Sequence, residues 1–186
     1  PHHHHDGVVT VCLHHHEAPG HSESDDEHCC SLSDVQYLAE EEHHIDYTVD
    51  EAMNVIMRVP ATPGYENHEG VILQAHMDMV CEKNNDTTHD FSKDPIETYV
   101  DGDWLKAKGT TLGADDGIGI SLALAAITSP TLRHPAIECL FTVDEETGLT
   151  GAFKLKDGYL TGKRLINLDS EDDGQIFIGC AGGIDT

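Results

Sequence analysis

Basic residues are the first scarcity: 10 Lys plus Arg stand against 35 Asp plus Glu in a 186-residue chain, a formal net charge of −25. A surface this acidic repels phosphates, which excludes nucleic acid and anionic membrane as partners. Long hydrophobic runs are also missing. The longest apolar-rich helical stretch, around Ile118 to Ile127, is too short to span a bilayer. The N-terminus is His-rich and lacks the apolar h-region of a signal peptide. None of the six cysteines falls in a CxxC pattern, and Cys29 and Cys30 are adjacent, a poor geometry for a bridge. The expectation is reduced thiols in a cytoplasmic protein, with Cys139 a small core residue in an apolar strand.

Hydrophobic residues make up 38% of the chain, low for a compact globule, and they are unevenly spread. Residues 1–38 form an irregular tail crowded with His, Asp, Glu and Ser, read as disordered or non-native and without function of its own. Residues 39–179 hold nearly all the apolar runs and carry the core. "DVQYLAEEEHH" reads as a short helix, and "IDYTVD" and "NVIMRV" as two strands around a tight turn. Val71 to Ala75 is a continuous apolar-rich run, the pattern of a strand covered on both faces. "IETYVDGDWLKAKG" predicts a hairpin turning at Asp101-Gly102.

"TTLGADDGIGISLALAAITSP" predicts a broadly buried helix, with Asp115 and Asp116 at its positive end and Pro130 as its stop. "IECLFTV" and "RLINL" are two further strands. Strands alternating with helices predict an α/β fold whose sheet is covered by helices on both faces.

Polar residues cluster where these strands end. His76 and Asp78 follow one strand, Glu145 and Glu146 a second, Asp169 a third, and Asp115 opens the intervening helix. In open α/β sheets, sites lie beyond the carboxyl ends of the strands. Each residue alone has a plainer reading: a helix cap for Asp115, a solvated loop for Glu145-Glu146, a hydrogen-bonded core histidine for His76, a surface acid for Asp169. Six such coincidences are a poor account of the pattern. Carboxylates so grouped resist ionising together unless a cation sits among them. Imidazole with carboxylates suits zinc, or manganese or cobalt by availability, and two metals sharing a bridging carboxylate hold a hydroxide between them for hydrolysis.

"LQAHMDMV", "HDFSKDPI", "GTTLGADDGIG", "TVDEETGLTGAF" and "LINLDSEDDG", in this order, resemble the aminoacyl-histidine dipeptidases, also called cytosolic non-specific or Xaa-His dipeptidases, of the co-catalytic zinc peptidase clan. The resemblance implies a zinc-exopeptidase-like mixed sheet, of which this chain holds the N-terminal part of the catalytic domain, with residues 180–186 opening a lid domain that is absent. It implies two Zn2+ ions (Mn2+ or Co2+ as alternatives), with His76, Asp115, Glu146 and Asp169 as metal ligands and Asp115 bridging. Asp78 would fix the His76 ring and Glu145 would serve as general base, leaving Asp116 as a cap. The implied activity is hydrolysis of dipeptides, Xaa-His and carnosine-like ones included, by a di-zinc-bound hydroxide acting on a small peptide substrate. The family's second zinc takes a further histidine from a much longer chain, and its lid often supports a homodimer. The alternatives are a related aminopeptidase, tripeptidase or N-acyl amino acid deacylase, or an inactive metal-binding fragment.

Overall fold

The computed structural model describes residues 44–170 and 174–179. The His-rich tail, the helix expected over 34–44 and residues 180–186 lie largely or wholly outside them. Among the described residues there are seven strands: β1 (Asp46–Val49), β2 (Val55–Val59), β3 (Val71–His76), β4 (Thr98–Asp101), β5 (Trp104–Ala107), β6 (Ile137–Thr142) and β7 (Arg164–Asn167). Two helices join them, α1 (Ala114–Thr128) and the short α2 (Thr150–Lys154). Five strands form one mixed sheet in the order β1-β2-β6-β3-β7, while β4 and β5 make a separate hairpin.

The centre of the sheet is β6, whose six residues are all buried. It pairs antiparallel with β2 and parallel with β3, which in turn pairs parallel with β7. Strand periodicity sorts its side chains. Ile137, Cys139 and Phe141 join Val55, Met57 and Ala75 in a core against which Ile120, Leu124 and Ile127 of α1 pack. Leu140 faces the other way with Ile56 and Ile72, under Leu155, Tyr159 and Leu160 from the segment after α2. The parallel β3–β6 step needs a crossover, and α1 supplies it.

The expected broad burial of α1 is not found. Ile120, Leu124 and Ile127 meet the core, whereas Ile118 and Leu122 are more than half exposed, with Ala125 exposed beside them. Only one side of the helix has a sheet to lie on, and the small Gly119 and Ala123 bring that side close. The thiol expectation divides: Cys139 is free and buried, its thiol pushed up to about 12 by burial, whereas Cys81 is disulfide-bonded.

The turn from β1 to β2 places Met53 at φ 74, a left-handed conformation that costs a side chain about 1–2 kcal/mol. The Met53 side chain is half exposed, so little burial is lost on removing it. Met53→Gly is expected to raise stability by about 1 kcal/mol, read as a higher urea midpoint at unchanged slope; an unchanged or lower midpoint would contradict this account of the turn.

Candidate functional site

Strands β3, β6 and β7 run parallel and end at one edge of the sheet, at His76, Thr142 and Asn167. The residues just beyond those ends, together with the start of α1, build a single acidic cluster. His76 closes β3 and is 1% exposed. Its Nδ1 lies 2.8 Å from the backbone oxygen of Asp78, and a carbonyl only accepts, so Nδ1 carries a hydrogen. Nε2 then faces the cluster, 3.0 Å from Asp115 Oδ1 and 3.9 Å from Asp169 Oδ2. Burial disfavours the charged ring. The hydrogen bonds to Asp78 and Asp115 and the charges of Asp78 and Asp169 outweigh it and push the pKa up to about 10.

Asp78 does two things. Its carboxylate is 3.5 Å from the His76 ring as a charge partner, while the ring's close hydrogen bond goes to its backbone carbonyl. The same carboxylate accepts the N–H of Glu145 at 3.0 Å and that of Glu146 at 3.1 Å. Burial alone would raise its pKa; the hydrogen bonds from His76, Glu145 and Glu146 overcome this and lower it. Asp78 thereby ties the end of β3 to the loop after β6.

Asp115 and Asp116 separate in role by backbone geometry. Both have non-helical φ/ψ, so regular helix starts only after them. Asp116 is buried and caps the helix by accepting the Gly119 N–H at 3.1 Å. It also accepts the His76 N–H at 3.2 Å, which docks the helix start on the β3 end. A Cβ at Gly119 would collide with this carboxylate, so the cap requires glycine there. Burial and the charge of Asp169 push the Asp116 carboxyl up to about 6 against those hydrogen bonds. Asp115 is left to project outward, its side chain 73% exposed.

Beyond β6 the chain turns sharply, with Asp144 at φ 54 and Leu149 at φ 60. Backbone bonds from Gly148 and Leu149 to Glu145, and from Thr150 to Asp144, close the loop. Burial raises the pKa of Glu145, and the charges of Asp169, Glu146 and Asp78 add to it against the pull of His76.

Two overlapping sets of donor atoms result, each lying within 4.8 Å of one another: His76 with Glu145 and Asp169, and His76 with Asp115 and Glu146. All six residues picked out in the sequence meet at this edge. One imidazole nitrogen among several carboxylate oxygens, in a pocket that draws a proton onto its histidine, has the donor chemistry of a divalent-cation site. The sequence reading passed over Asn54 and Asp50, buried in the β1–β2 turn; Asn54 bonds the backbone at both ends of this loop, and Asp50 bonds Asn54. Their signal was weak: an Asp and an Asn in a turn are ordinary turn chemistry.

No protein-family model matches the chain. It is 52% identical over 151 residues to a cytosol non-specific dipeptidase of Escherichia coli K12, a match covering 81% of this chain and 31% of the relative. Among solved structures, it resembles the aminoacylhistidine dipeptidase of Vibrio alginolyticus with a TM-score of 0.74 and 52% identity, over 78% of this chain and 30% of that one. It also resembles an aminopeptidase of Bacillus cereus with a TM-score of 0.61 and 25% identity, over 80% of this chain and 40% of that one. The likeness read from the five motifs is thus borne out, and so is a mixed α/β fold of the kind these peptidases share. The chain spans about a third of the length of the curated relatives it matches. Among the described residues no helix is long and apolar enough to cross a membrane.

If the cluster holds a divalent cation, Mn2+ titrated into the chain broadens the amide resonances of Glu145, Glu146 and Asp169, and His76→Ala abolishes the broadening. Asp78→Ala, which releases both glutamate amides, is expected to weaken Mn2+ binding about 10- to 100-fold. Broadening confined to residues 1–43 in every variant would show that the cluster takes no cation.

Proposed function

We propose that the protein is a metal-dependent peptidase that hydrolyses dipeptides, Xaa-His and carnosine-like ones among them. The observation that carries the reading is the convergence of His76, Asp115, Glu145, Glu146 and Asp169 at one sheet edge, in a chain 52% identical to two proteins named as dipeptidases. In this reading His76, Asp115 and Asp169 would hold one zinc ion, and Asp115 and Glu146 would help to hold a second, with manganese or cobalt as alternatives. When bound, the ions supply Lewis acidity toward the scissile carbonyl and acidify a water. Glu145 takes the proton of the attacking water and delivers it to the leaving amine. Its burial beside other carboxylates supports that role, because a raised pKa suits a group that must both accept and return a proton. Asp78 keeps Glu145 and Glu146 in place through their amides, and its contact with His76 leaves Nε2 directed at the cluster.

A cytoplasmic location accords with the word cytosol in the name of the E. coli relative. A second reading, an aminopeptidase or tripeptidase, is favoured by the likeness to the Bacillus cereus aminopeptidase. Rates on free dipeptides, tripeptides and N-acyl amino acids separate the two, and the first reading requires dipeptides to be fastest. In the enzyme at the full length of its dipeptidase relatives, Glu145→Gln is expected to lower kcat at least about 100-fold while Mn2+ binding persists. Turnover retained in that variant would remove Glu145 from the role of base.

A further inference from the structure

The glutamate pair is held from two sides, and only one of them is Asp78. The other begins in the turn between β1 and β2, at Asn54, which is fully buried. Its amide is used at both ends. Oδ1 accepts the N–H of Val143 at 3.1 Å, and Nδ2 donates to the carbonyl of Gly151 at 2.9 Å. Val143 opens the loop that carries Glu145 and Glu146, and Gly151 lies in the first turn of α2 that closes it, the two joined by the Gly151 N–H to Val143 oxygen bond of 3.0 Å. Asn54 therefore spans the base of that loop from a neighbouring strand.

The orientation of the amide is fixed by Asp50, itself 5% exposed. Its Oδ2 accepts from Asn54 Nδ2 at 2.8 Å and its Oδ1 from the Asn54 backbone N–H at 2.9 Å. A carboxylate only accepts, so the NH2 end must face Asp50 and Gly151, and the oxygen must face Val143. A flipped amide would forfeit all three side-chain bonds. The fit has no slack on the far side either. A Cβ at Gly151 would collide with Asn54 Oδ1 and lie 2.5 Å from the Val143 oxygen and 2.8 Å from the Val143 nitrogen.

We propose that Asn54, oriented by Asp50 and closed over by Gly151, is a positioning residue that sets the placement of Glu145 and Glu146 for the reaction. This rests on the peptidase reading above. The side-chain bonds of Asn54 go to Asp50 and to the backbone at the two ends of the loop, while Asp78 acts through the amides at its crest. The pair Glu145-Glu146 is thus suspended between a carboxylate just beyond β3 and an amide next to β2.

The test compares Asn54→Ala and Gly151→Ala, which undo the same joint from opposite sides, with Ile137→Ala as control. Ile137 is a buried residue at the far end of β6, so its truncation lowers stability without touching the loop. Mn2+ affinity and dipeptide turnover are measured on each in the enzyme at the length of its dipeptidase relatives, with Glu145→Gln alongside. The expected result is an Mn2+ affinity and a kcat each lowered about 10- to 100-fold in both loop variants, with KM changed less than about 3-fold and the control like the parent at matched stability. If Asn54→Ala does not fold, Gly151→Ala decides alone. Loop variants that behave like Ile137→Ala would reduce Asn54 to a structural residue and overturn the proposal. Should Glu145→Gln itself retain turnover, the peptidase reading of Glu145 fails instead, a result separate from the first.

Discussion

The site depends on the parallel pairing of β3 with β6. Their register sets Ala75 beside Phe141 and His76 beside Thr142, so both strands end level. From that level the chain has two residues to reach Asp78 on one side and three to reach Glu145 on the other, which is why one carboxylate can accept two consecutive amides of its neighbour. A shift of one residue would turn His76 to the opposite face of the sheet and carry Asp78 out of reach of Glu145 and Glu146. The apolar pattern forbids that shift. Ala75 would leave the core it shares with Cys139 and Phe141, and Gln74 would enter it. The same burial that stabilises the sheet therefore fixes the geometry of its polar edge.

That edge is electrostatically unfavourable by itself. Asp78, Asp115, Glu145, Glu146 and Asp169 gather around one buried imidazole, within a chain already at −25. The strain registers on the groups least able to escape it: Asp116 and Glu145 move toward the neutral form, and His76 holds its proton far above its usual range. Backbone amides relieve part of this for Asp78 and Asp116, each of which accepts two N–H groups. For the outward-facing Asp115, Glu146 and Asp169 the natural relief is a cation, and their exposure leaves it a route in.

Much of this was readable from residue patterns. The alternation of apolar runs and breakers located each of the seven strands, and the strand-end rule collected six residues that the fold brings to one edge. The reading of α1 went astray at Ile118 and Leu122 because an apolar residue on a helix records only that burial is favourable, not whether a neighbour exists to provide it. Hydrogen-bond partners were still less legible. Nothing in "HMD" says that the histidine bonds the backbone of Asp78, nor that the Asp78 carboxylate is shared with two amides 67 and 68 residues away. Asn54 and Asp50 were missed for the same reason, since a bond from Asn54 to Gly151 crosses 97 residues of sequence. Cys81 shows a further limit, as thiol state depends on a partner that spacing did not reveal.

The arrangement separates exposed and half-buried carboxylates from the buried groups that hold them in place. Asp115 and Glu146 are exposed and Glu145 and Asp169 half-buried, so solvent can reach them. His76, Asp116, Asp50 and Asn54 are buried, and the side chain of each makes at least one hydrogen bond to backbone. An exposed carboxylate on a loop loses rotamer and backbone freedom each time it is ordered, a cost of roughly 1–2 kcal/mol per residue for the backbone alone. Ordering the loops beforehand, through carboxylate and amide clamps set in the sheet, moves that cost from the binding step into folding, where the buried β6 core offsets it. The left-handed residues Asp144 and Leu149, which bracket Glu145 and Glu146, fit the same logic: a conformation disfavoured for an isolated chain persists because bonds at both ends of the loop leave it no alternative.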